Sequence, residues 1–100
     1  MIVINIYTIT GIIDIDKKGT TGERCFGYFS NFDDAEHCVK ENRGDIYEQL
    51  YKYAIIEKVE EGLHPYAIER WLYKYIDDMD EYTPIDVPKC LEHIVNFAIG

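Results

Sequence analysis

Positive charge is what this chain has least of. Ten Lys and Arg stand against nineteen Asp and Glu in 100 residues, a net charge of −9 with His neutral. Phosphates repel such a chain, which argues against direct binding to DNA, RNA or anionic membranes. The same charge favours basic proteins, among them the basic grooves of nucleic-acid-handling enzymes. Cysteine is scarce and odd in number: Cys25, Cys38 and Cys90, widely spaced. That is no disulfide framework, and mostly buried thiols in a reducing cytoplasm are expected. Apolar runs are short, none approaching the ~20 residues that span a bilayer. Met1 to Ile15 is apolar, yet Asn5, Thr8, Thr10 and Asp14 interrupt it. It shows neither a basic leader nor a small-residue cleavage site, so a secretory signal is not expected. The expectation is a soluble, cytoplasmic protein.

What is present suits one α+β domain over residues 1–100. Hydrophobic residues make up 47% of the chain, enough for a real core. Ile2 to Ile15, dense in isoleucine, predicts a long strand in which Gly11 marks a bulge. The polar, glycine-punctuated stretch from Asp16 to Glu23 predicts a hairpin loop, and Arg24 to Phe29 a return strand. Ser30 and Asn31 supply helix N-cap chemistry, with Asp33, Asp34 and Glu36 in the first turn. Phe32, Ala35, Cys38, Val39 and Asn42 then share one face of a helix over 32–42, which Gly44 ends.

A short helical turn is expected over 45–51, then strands at Tyr53–Glu60 and Ile68–Ile76 around a turn at Glu61–Pro65. In the second of these, Glu69, Trp71, Tyr73 and Tyr75 alternate with Ile68, Arg70, Leu72, Lys74 and Ile76. A strand at Tyr82–Val87, a short helix at Pro88–His93 and a closing strand at Ile94–Ile99 complete the pattern. The expected order is β-β-α-β-β-β-α-β, a mostly antiparallel sheet with one main helix and a short second helix packed on it.

Motifs that would carry chemistry are incomplete. Asp14-Ile15-Asp16-Lys17-Lys18-Gly19 starts like a calcium loop, but Lys18 holds the fifth position and Cys25 the twelfth, where a bidentate Glu is required. Gly19-Thr20-Thr21-Gly22 lacks the Gly-Lys-Ser/Thr ending of a phosphate loop. Cys90 and His93 sit one helical turn apart, half of a zinc site or a nucleophile with its base. No matching second pair and no orienting acid accompanies them, so no metal and no cofactor are expected. His37 falls on the polar helix face, and His64 before Pro65 in a turn. Trp71, Tyr73 and Tyr75 suit a core under the helix and a partner-facing stripe equally.

The most distinctive segment is Asp77-Asp78-Met79-Asp80-Glu81-Tyr82-Thr83-Pro84-Ile85-Asp86, with five acids and no base. Tyr66, Tyr73 and Tyr75 precede it and Tyr82 lies inside it. Carboxylates with embedded aromatic rings suit contact with a basic protein. The candidate partner-binding set is therefore Asp77, Asp78, Asp80, Glu81 and Asp86, with Tyr75 and Tyr82 as anchors. A solvated hairpin loop is the plain alternative.

Two stretches carry a resemblance: Cys25-Phe26-Gly27-Tyr28-Phe29-Ser30-Asn31-Phe32-Asp33-Asp34-Ala35 and Ile94-Val95-Asn96-Phe97-Ala98-Ile99-Gly100. They resemble short, acidic, uncharacterised proteins of Firmicutes and of their phages and plasmids. No activity is attached to that group, so the resemblance transfers no site. It implies a mobile-element setting, in which small acidic proteins often inhibit host defence as anti-CRISPR proteins do. The expectation is a non-enzymatic acidic protein-binding module that inhibits a basic partner. The alternative is a small-molecule or zinc-binding protein, with a pocket between helix and sheet and zinc at Cys90 and His93.

Overall fold

The computed structural model describes residues 4–16, 19–42, 46–48, 50–60 and 67–88, with the backbone alone at 67 and 68. In chain order the elements are β1 (Asn5–Asp16), β2 (Gly19–Phe29), α1 (Phe32–Lys40), β3 (Tyr53–Glu60), β4 (Ala67–Ile76) and β5 (Glu81–Ile85). The strands form one five-stranded sheet in the order β2-β1-β3-β4-β5, and every neighbouring pair is antiparallel. The chain crosses from β2 over β1 to β3 through α1, so β1 lies between its hairpin partner and the strand that follows the helix. The second helix and the closing strand expected at 88–99 lie outside the described residues, as does the turn at 61–65.

Three local expectations are corrected. The hairpin loop over 16–23 is mostly strand, because Asp16 already faces Gly19 in the β1–β2 ladder. Glycine there does not break pairing: Gly22 takes φ +66°, and a Cβ on it would come within 2.4 Å of the Ile13 side chain. The bulge is not at Gly11. Thr10 faces Cys25 and Ile9 faces Gly27, so Phe26 in β2 is the inserted residue. Gly11 serves close approach instead, since a Cβ there would stand 2.6 Å from the Phe26 ring and 3.0 Å from that of Tyr51. Finally, α1 ends at Lys40, not Asn42. Asn42 adopts the left-handed conformation, φ +50°, its N–H donating to Val39 O at 3.1 Å. Asn is the residue best suited to that stop after glycine.

The start of α1 follows the expected chemistry. Asn31 Oδ1 accepts from the Asp34 N–H at 2.8 Å, and Asn31 Nδ2 donates to the Asp34 carboxylate. Ala35 and Val39 are fully buried, with Phe32 and Cys38 packed beside them, and the sheet presents Ile9, Ala54, Ile56, Tyr73 and Tyr82 to this layer. Trp71, Tyr73 and Tyr75 thus face the helix side, and Trp71 stacks obliquely on Phe32 at 4.5 Å between ring centres. The stripe belongs largely to the core. Its Tyr73 hydroxyl donates to Glu36 at 2.6 Å, tying β4 to the polar edge of α1.

The other sheet face buries Ile12, Ile55 and Leu72. Beside them Glu57, fully buried, accepts from Arg70 Nε at 3.1 Å. A buried carboxylate persists only when paired in this way.

Candidate functional site

The acidic segment forms the tip of the β4–β5 hairpin. Ile76 faces Glu81 and Tyr75 faces Tyr82, which leaves Asp77 to Asp80 as the turn. Two backbone bonds close it, Met79 N–H to Ile76 O at 3.1 Å and Asp80 N–H to Asp77 O at 3.2 Å. Asp80 sits at φ +52°, a left-handed position that Asp tolerates better than most residues. Asp77, Asp78, Met79 and Asp80 are exposed, Met79 at 57%, while Glu81 is half-buried and Asp86 is exposed beyond the end of β5. Among the described residues no ion pair engages Asp77, Asp78, Glu81 or Asp86. Their charge faces water.

Behind the tip stands a packed group of tyrosines. Tyr47, from the α1–β3 connection, lies flat on Tyr75, with ring centres 3.7 Å apart and planes within 10°. Tyr82 meets Tyr75 edge-on at 5.2 Å. The Tyr75 hydroxyl donates to Asp80 and so fastens the turn to the strand. That bond to a carboxylate is the main reason its pKa is pushed up to about 12, with burial and the neighbouring negative charges adding to it. Tyr73 is raised as well, by burial first and then by Glu36.

Tyr82, expected as an aromatic anchor with Tyr75, lies inside the fold. Its ring is only 1% exposed, and its hydroxyl donates to Tyr51 O at 2.7 Å. In the β5 alternation Tyr82 falls on the helix side of the sheet, where the core lies. Tyr75 is half-buried and Asp86 stands apart from the turn, so the group at the tip is Asp77, Asp78, Asp80, Glu81 and Tyr75. Tyr47 joins this group unforeseen. No local pattern marked it, because the connection that carries it has no period, and only the fold brings it against β4.

Among the described residues the tip group holds no nucleophile with an activating base beside it. The hydroxyl of Tyr75 is kept protonated by Asp80, the opposite of an activated nucleophile. The zinc candidates Cys90 and His93 lie outside the described residues. Cys25 and Cys38 are not in disulfides. His37 is exposed on α1 with Glu41 at 3.6 Å, a surface pair.

No protein-family model, no curated protein and no solved structure matches this chain. Among the described residues no helix is long and apolar enough to cross a membrane.

Proposed function

We propose that this chain is a non-enzymatic, acidic protein-binding module of the cytoplasm. It covers the basic surface of a nucleic-acid-handling partner and thereby inhibits it, in keeping with the anti-defence setting that its resemblance implies. The observation that supports the reading is the β4–β5 tip, where carboxylates with no cation partner among the described residues are held on a short turn fixed by backbone bonds and by the Tyr75–Asp80 contact. Such charges act over about 8–10 Å at physiological salt and chiefly raise the association rate. Met79 at the crest adds an adaptable apolar contact of the kind that binding surfaces favour.

The test compares wild type with a variant carrying Asp77→Asn, Asp78→Asn, Asp80→Asn and Glu81→Gln. Asn keeps the left-handed position at 80 accessible, so the turn should survive. Wild type immobilised in host lysate should retain basic nucleic-acid-binding proteins that are lost steeply as salt rises. The neutralised variant should retain much less at the same salt, with an unchanged circular dichroism spectrum. Equal capture at equal salt tolerance would reduce the tip to a solvated loop.

A further inference from the structure

A cavity of about 310 Å³ opens on the helix side of the sheet, where β2 passes α1. Ile9, Gly27 and Phe29 border it on the sheet side, with Phe26 beside them; Cys38 of α1 and Ile46 of the α1–β3 connection close the opposite side. Tyr28 completes the lining.

Its origin lies in the β2 bulge. Insertion of Phe26 turns that ring toward Tyr51, which it meets edge-on at 5.4 Å. The next residue facing Ile9 is then Gly27, which has no side chain to fill the layer. A Cβ at Gly27 would find nothing within 4 Å among the described residues, and φ +150° there disfavours any residue that could carry one. The backbone thus maintains a gap in an otherwise close-packed aromatic layer.

We propose that this cavity is a binding site for a small, uncharged aromatic molecule of one or two rings. None of the described lining residues is charged. A carboxylate or phosphate placed there would lose its water with no cation among the described lining residues to replace it, inside a protein of net charge −9. An ammonium would find no carboxylate among the described lining residues. The volume lies at the low end of ligand sites, roughly 300–1,000 Å³, which suits a ring system and leaves no room for a peptide segment. Phe26 and Phe29 supply ring edges and faces for offset or edge-on packing. None of the described lining residues is a tip carboxylate, so charge can be removed from the tip without altering the cavity wall.

Indole, a neutral two-ring probe, supplies the test, followed by heteronuclear NMR on the full chain. Saturable shifts are expected at the amides of Ile9, Gly27, Phe29 and Cys38, with intermolecular NOEs from indole to the methyl groups of Ile9 and Ile46. Indole-3-acetate, the same rings with a carboxylate, should bind at least about tenfold more weakly. No saturable shift, or NOEs to another region, would overturn the site and leave the cavity a packing gap. Equal binding of the two probes would overturn the assigned ligand class. Retention of both probe responses in the tip-neutralised variant is expected, since the cavity contains none of the altered residues.

Discussion

Tyr82 shows how much one hydroxyl and one ring can carry in a chain this small. The ring meets the stacked Tyr75–Tyr47 pair edge-on in the core, and the hydroxyl serves the carbonyl of Tyr51 just before β3. Tyr82→Phe removes one buried hydrogen bond and should cost about 1–2 kcal/mol in urea denaturation. Tyr82→Ala also leaves a cavity and should cost about 3–5 kcal/mol. Substitution at Tyr82 would therefore register as lost stability rather than as faster dissociation from a partner. Tyr75, its partner across the β4–β5 ladder, has a different signature. Its neutral form is favoured in the folded state, where its pKa is about 12 against an ordinary value of 10.0. A pKa raised on folding stabilises below the unfolded value and loses that contribution as pH climbs through the folded one. The loss should fall between pH 10 and 12, and Tyr75→Phe should flatten the wild-type decline there when folding is followed by circular dichroism. Identical alkaline profiles would mean that the Asp80 contact does not hold in solution.

At the scale of elements, α1 is the piece on which the helix-side core depends. Val39 is fully buried against the sheet, and Asp in its place would bring an unpaired charge into an apolar layer. Val39→Asp should abolish cooperative unfolding at room temperature, an effect above about 4 kcal/mol. Preservation of the melting temperature would show that α1 lies with another face to the sheet. The β4–β5 hairpin behaves differently. Its tip carboxylates are solvated, and exposed charges contribute little to stability. Charge can therefore be removed from the tip without unfolding it, which makes the binding test readable.

For the whole molecule the excess of acid is a cost. Net charge of −9 repels itself in the compact state, and salt shortens the range of that repulsion from about 30 Å at 10 mM to about 8 Å at physiological strength. The melting temperature should rise by several degrees over that span, while binding to a basic partner falls. Opposite salt dependences of stability and affinity in the same buffer series would be hard to obtain from a neutral interface. A melting temperature that falls with salt would show that the described ion pairs, such as Arg24 with Glu48 at 3.6 Å and Lys58 with Glu69 at 3.7 Å, outweigh the repulsion.

Strand, helix and cap were legible in the chain itself because each is set by neighbours within a few residues. Asn31 before Asp34, the helical spacing of Ala35 and Val39, and the two-residue alternation from Trp71 to Tyr75 are all local patterns. The acidic turn was legible for the same reason. Sheet order was not, since nothing local says that β1 pairs with β3 across the helix. Burial of Glu57 was hidden too, because a carboxylate enters a core only where the fold delivers its cation, here Arg70 from the neighbouring strand. The same holds for Tyr47 on Tyr75 and for the gap at Gly27. Each depends on which distant side chain arrives or fails to arrive, and distant arrivals are decided by packing, not by spacing along the chain.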